Sequence, residues 1–80
     1  MAVILSKEDL QLKQQITERL KQLRESTGKS QVDFAYDLGL DKQAVNRIEK
    51  GNGATIYTIS KYCKYFEITL KEFFDSELFK

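Results

Sequence analysis

Two short stretches of helical periodicity are joined by almost no chain. One opens at Ser30 and stops at Gly39; the next opens at Asp41 and stops at Lys50-Gly51. Only Gly39 and Leu40 stand before the Asp41 cap, so the two helices must cross at a sharp angle. A glycine at the break suits a left-handed backbone position that a residue with a β-carbon enters at a cost. Ser30 and Asp41 are residue types that cap helix N-termini, and the Asp41 carboxylate also suits the positive end of the helix dipole.

The apolar residues then decide which way the second of these helices faces. Phe34, Ala35 and Leu38 form the inner face of the first, and Ala35 is small enough to let its neighbour cross closely. Leu40, Val45 and Ile48 pin the second to the core. Lys42, Gln43, Asn46 and Arg47 must therefore point outward. A solvated surface is the ordinary explanation for such a face; a helix-turn-helix that presents a reading face to a ligand is the more specific one.

The flanks follow the same rules. Upstream, Ser6 with Asp9 makes a capping-box-like start, and Leu12, Ile16, Leu20 and Leu23 recur at helical spacing up to a stop near Thr27-Gly28. Downstream, Thr55 caps a helix whose inner stripe is Ile56, Ile59, Tyr62, Cys63 and Phe66. Thr69 with Glu72 forms a full capping box for a last helix carrying Leu70, Phe73, Phe74 and Leu78. The expected fold class is all-α: a compact five-helix domain over residues 1–80, with an apolar arm at 1–5 and a short tail at 76–80. The arm is the one β-prone stretch, and disorder or partner binding suits it as well as a strand does.

Composition narrows the function classes. The chain has 80 residues, a formal net charge of +1, no histidine and one cysteine. The commonest general base and the commonest zinc ligand are thus missing, no disulfide can form within the chain, and no phosphate-cradling glycine loop is present. We expect no enzyme, no metal and no cofactor. No apolar run reaches the ~20 residues of a membrane-spanning helix. Nothing resembles an export signal, so the expected location is cytoplasmic. With so little net charge, any affinity for a polyanion must come from placement of individual side chains.

The stretch from Leu20 to Gly51, "LKQLRESTGKSQVDFAYDLGLDKQAVNRIEKG", resembles the lambda-repressor-like helix-turn-helix domains of phage repressors and xenobiotic-response-element-type bacterial regulators. Leu23-Arg24, Ser30-Gln31, Phe34-Ala35, Leu38-Gly39-Leu40 and Val45 through Gly51 carry the likeness, and "TISKYCKYFEITLKEFF" resembles the family's fourth and fifth helices. The resemblance implies sequence-specific binding of double-stranded DNA, with the third helix in the major groove. It places Ser30 and Gln31 at the start of helix two, with Gln31 against a phosphate. Lys42 and Gln43 face base edges, Asn46 and Arg47 reach bases or phosphates, and Lys50 meets a phosphate. Arg24 and Glu49 match a structural pair linking the ends of helices one and three.

The resemblance also implies a small transcriptional regulator, most often a repressor, acting as a homodimer on a palindromic operator whose half-sites lie ~34–36 Å apart. Phe74, Leu78 and Phe79 are the expected dimer contacts, with Val3-Ile4-Leu5 as a competitor. The alternative is an antitoxin-like module that binds a partner protein, a toxin, as well as DNA. Three departures stand out: no proline precedes helix four, the loop Asn52-Gly53-Ala54 carries no base, and helix one begins early. Tyr57, Tyr62, Tyr65 and Phe66 read as core or dimer packing, or as a stacking platform for single strands. Cys63 reads as a buried inert thiol in preference to a redox sensor.

Overall fold

A computed structural model describes residues 5–80. Five α-helices follow one another: α1 Lys7–Ser26, α2 Gln31–Leu38, α3 Lys42–Glu49, α4 Ile56–Phe66 and α5 Leu70–Phe74, closed by a 3-10 turn at Glu77–Phe79. The Ser6–Asp9 and Thr69–Glu72 capping boxes both form, and Ser30, Asp41 and Thr55 each accept a hydrogen bond from the backbone N–H three residues on. Each cap satisfies an N–H that the helix itself leaves unpaired.

Three helices end in the same way. The Leu40 N–H reaches the Ala35 carbonyl at 2.9 Å while Gly39 bonds Tyr36, the Asn52 N–H reaches Arg47 at 2.8 Å while Gly51 bonds Ile48, and the Ile68 N–H reaches Cys63 at 3.0 Å while Glu67 bonds Lys64. This is the Schellman arrangement, which needs a left-handed residue at its pivot. Gly39 at φ 74° and Gly51 at φ 91° provide it without strain, whereas Glu67 sits at φ 56° despite its β-carbon.

The core is a single cluster: Leu20 from α1, Phe34 and Ala35 from α2, Val45 and Ile48 from α3, Ile59, Tyr62 and Cys63 from α4, and Phe73 from α5. Phe34 is its hub. Its ring centroid lies 5.2 Å from both Tyr62 and Tyr65, tilted against the first and edge-on to the second. Cys63 is buried, and burial pushes its thiol pKa up, the signature of an inert thiol. Among the described residues no helix is long and apolar enough to cross a membrane, and no cluster of ligating side chains could hold a metal ion.

The structure corrects the inner faces read from periodicity. Leu12, Ile56 and Leu70 are each more than two-fifths exposed and take no place in the core. Helical spacing identifies a face, but a helix touches its neighbours over only part of that face. The segment 76–80 is also more than a tail. Gln15 donates to the Leu78 carbonyl at 2.6 Å, Arg19 donates to the Phe73 carbonyl at 2.9 Å, and Phe79 packs against the core. Of the apolar arm, residues 1–4 lie outside the described residues, and Leu5 is exposed.

Candidate nucleic-acid interface

The outward face of α3 is built from inside out. Val45 is fully buried and Ile48 nearly so, each set beneath the helix by the crossing at Gly39. With that side committed, Lys42, Gln43 and Arg47 stand exposed on the other, Asn46 is half-buried, and Lys50 is exposed at the C-cap. The first turn of α3 is fixed by Asp41, whose Oδ1 accepts from the Ala44 N–H at 2.7 Å.

The other end of α3 is fixed by charge. Arg24 Nε donates to Glu49 Oε2 at 2.5 Å and Arg24 Nη2 donates to Glu49 Oε1 at 3.1 Å, a two-point grip between α1 and α3. The side chains are 14% and 4% exposed, so water screens the pair poorly. The hydrogen bond from Arg24 to Glu49 holds the guanidinium pKa above its ordinary value. Arg24 Nη1 donates onward to the Lys29 carbonyl at 2.8 Å, tying in the turn before α2.

Gln31 has a partner within the protein. Its Nε2 donates to Glu49 Oε1 at 3.0 Å, so in the free protein the amide joins the start of α2 to the end of α3. A phosphate partner is not its resting contact. The reason is a carboxylate held at the junction with a lone pair to spare after Arg24 has bound. Ser30 uses its hydroxyl as the cap of α2, accepting from the Asp33 N–H at 3.2 Å.

Two further groups complete the surroundings. Lys29 pairs with Asp37, and Tyr65 donates its hydroxyl to the same carboxylate at 3.2 Å. The Lys29 hydrogen bond is the main reason the Asp37 carboxyl is held below its ordinary pKa. This carboxylate on α2 is therefore compensated. Nothing in sequence spacing marks that pairing, since Lys29 and Asp37 sit at opposite ends of α2. Tyr62 is the second: it lies in the inner stripe as expected, and its buried, unpartnered hydroxyl feels the charges of both Glu49 and Arg24, which the stripe alone does not disclose.

Of the expected dimer contacts, Phe74 stands at the exposed margin, its ring edge-on to Phe73 at 4.9 Å. Leu78 and Phe79 are half-buried within the chain, Phe79 lying 5.1 Å from the Phe74 ring.

Residues 20–73, from the end of α1 through α5, match the family model described as Helix-turn-helix. The chain belongs to the helix-turn-helix family. It is 38% identical over 63 residues to a protein of Pyrococcus furiosus provisionally named an HTH-type transcriptional regulatory protein. That alignment takes in 79% of this chain and 18% of the relative, so the chain spans about a fifth of the relative's length. No solved structure matches it.

Proposed function

We propose that this helix-turn-helix chain binds double-stranded DNA in a sequence-specific manner as a transcriptional regulator of the lambda-repressor-like kind. It inserts α3 into the major groove and represses by occupying an operator. The observation that carries this reading is the two-sided construction of α3. Val45 and Ile48 are buried beneath it, Lys42, Gln43 and Arg47 are exposed above it, and Arg24–Glu49 locks its end. A helix backbone held that firmly loses little freedom on binding, which favours recognition over general attraction.

The residue types suit base edges. Arg47 and Lys42 can donate to guanine O6 and N7, and Gln43 can pair with adenine N6 and N7. Lys50, beyond the last turn of α3, supplies a phosphate contact. The net charge of +1 conceals 13 lysines and arginines, so the salt dependence reports how many of them meet phosphates, with a log–log slope of roughly −0.9 for each phosphate neutralised. The name of the Pyrococcus furiosus relative supports the regulatory half of the reading.

One helix-turn-helix unit reads a single half-site, so specificity rises when two bind as a twofold dimer on half-sites one helical turn apart. Among the C-terminal aromatics Phe73, Phe74 and Phe79, Phe74 is the exposed one and the one open to a second copy. Selection of duplexes from a random pool, at two salt concentrations, tests both parts at once. We expect enrichment of a palindrome. Recovery of a pool no different from the input would overturn DNA reading, and enrichment of a single asymmetric half-site would overturn the dimer.

A further inference from the structure

The Glu49 carboxylate collects three donors from two helices: Arg24 Nε and Nη2 from α1 and Gln31 Nε2 from α2. A further buried donor, under the electrostatic influence of the same pair, is unused. Tyr62 of α4 is fully buried, and its hydroxyl has no hydrogen-bond partner among the described residues. Burial pushes the Tyr62 pKa well up, with Glu49 adding to the rise and Arg24 opposing it, so the phenol stays protonated and remains a donor. A buried hydroxyl without a partner is costly, and phenylalanine in the same place would avoid that cost. The oxygen therefore calls for a role in another arrangement of this junction.

Gln31 provides one. It is half-buried at the first position of α2, and its amide can serve Glu49 or an incoming anion at the helix N-terminus. If it leaves Glu49, the carboxylate loses a donor at a site only 4% exposed, where water replaces it poorly. We propose that the Tyr62 hydroxyl is the reserve donor to Glu49: it takes up the carboxylate when the Gln31 amide departs for a DNA phosphate, so that Arg24–Glu49 and the end of α3 keep their position on binding. Tyr62 is thus a positioning residue that acts through Glu49 and touches no DNA. The trigger in this scheme rests on the DNA-binding reading; the exchange of donors does not.

Unfolding by urea of the parent, Gln31→Ala, Tyr62→Phe and the double variant tests the exchange without DNA. Gln31→Ala removes the resident donor, so the hydroxyl should already be engaged in that background. We expect Tyr62→Phe to leave the parent's unfolding midpoint unchanged or raised, and to lower that of Gln31→Ala, with a coupling of roughly tenfold in the folding equilibrium constant. The same Tyr62→Phe change should weaken binding of a selected duplex several-fold while Tyr62→Phe remains as stable as the parent. Additive stabilities, with the Tyr62→Phe effect equal in both backgrounds, would overturn the exchange and leave the DNA reading standing. Coupled stabilities together with a parent that selects no duplex would keep the exchange and overturn the DNA reading and its trigger. Coupled stabilities with unchanged duplex affinity in Tyr62→Phe would overturn the trigger alone.

Discussion

Arg24 and Glu49 face each other across the α1–α3 junction with two hydrogen bonds, of 2.5 and 3.1 Å, and almost no access to water. Desolvation offsets much of the attraction in such a pair, so its presence says more about orientation than about net stability. Removing one partner leaves the other charge buried and alone. We expect Arg24→Ala or Glu49→Ala to cost about 3 kcal/mol, and the Arg24→Met/Glu49→Leu double variant to cost clearly less than either. Chemical denaturation of the three variants is the measurement; a double variant as unstable as the sum of the singles would contradict this account of the pair.

Base discrimination and general affinity should separate by position along α3. Arg47→Ala and Gln43→Ala should relax preference at single base positions, each by roughly 1–3 kcal/mol between the preferred and next base. Lys50→Ala should weaken all duplexes alike and reduce the salt slope by about one unit. Competition binding across a panel of single-base variants, repeated at several salt concentrations, resolves the two behaviours. Equal losses on every sequence for Arg47→Ala would remove it from the reading positions.

These two predictions rest on different degrees of legibility in the sequence. The turn at Gly39, the caps at Ser30 and Asp41 and the buried set Phe34, Ala35, Val45 and Ile48 follow from local chemistry, because capping, left-handed glycine and helical spacing act within a few residues. The Arg24–Glu49 pair became legible through family resemblance, since 25 residues separate its members. The Gln31–Glu49 bond and the place of the Tyr62 hydroxyl were not legible, because each depends on how separate helices meet. Leu12, Ile56 and Leu70 fail for a related reason: periodicity gives the direction a side chain points, not whether anything lies there.

The Lys29–Asp37 pair gives stability a pH dependence at both ends of the scale. The Lys29 hydrogen bond is the main reason the Asp37 carboxyl is depressed in the folded chain, so its contribution is present above the unfolded value, about 3.9, and is lost as pH falls through the folded value. Lys29 is raised in turn, first by its bond to Asp37, so its share is present below the ordinary lysine value and is lost as pH rises through the folded one. Asp37→Asn should therefore flatten the stability profile below about pH 4 and again above about pH 10, with the largest deficit between. Urea midpoints measured across that range would show parallel curves if the pair contributed nothing.

Glu67 is the one non-glycine residue with positive φ among those described, and it closes the same Schellman turn that Gly39 and Gly51 close without a β-carbon. It is exposed and caps α4 through backbone N–H groups alone. Glu67→Gly should relieve the left-handed strain and stabilise the fold by about 0.5–1 kcal/mol, net of the extra freedom glycine brings to the unfolded chain. Thermal unfolding of the variant checks this, and a lowered midpoint would mean that the carboxylate contributes more than its backbone costs.

Phe74 and Phe79 lie 5.1 Å apart by ring centroid yet should respond oppositely to truncation. Phe79 packs on the core next to Phe73, and the turn that carries it is pinned to α1 through Gln15 and the Leu78 carbonyl. Its removal opens space beside a fully buried ring, so Phe79→Ala should lower monomer stability by about 2–3 kcal/mol, less than a fully buried phenylalanine would. Phe74 stands at the margin, where truncation forfeits contacts with the rims of Phe73 and Phe79 but leaves no enclosed cavity, and removes apolar area from any surface shared between copies. Phe74→Ala should keep the unfolding midpoint within about 1 kcal/mol and shift the sedimentation equilibrium toward monomer. If Phe79→Ala instead dissociated a stable dimer without loss of stability, the turn at 77–79 would belong to the interface between copies and not to the core of one.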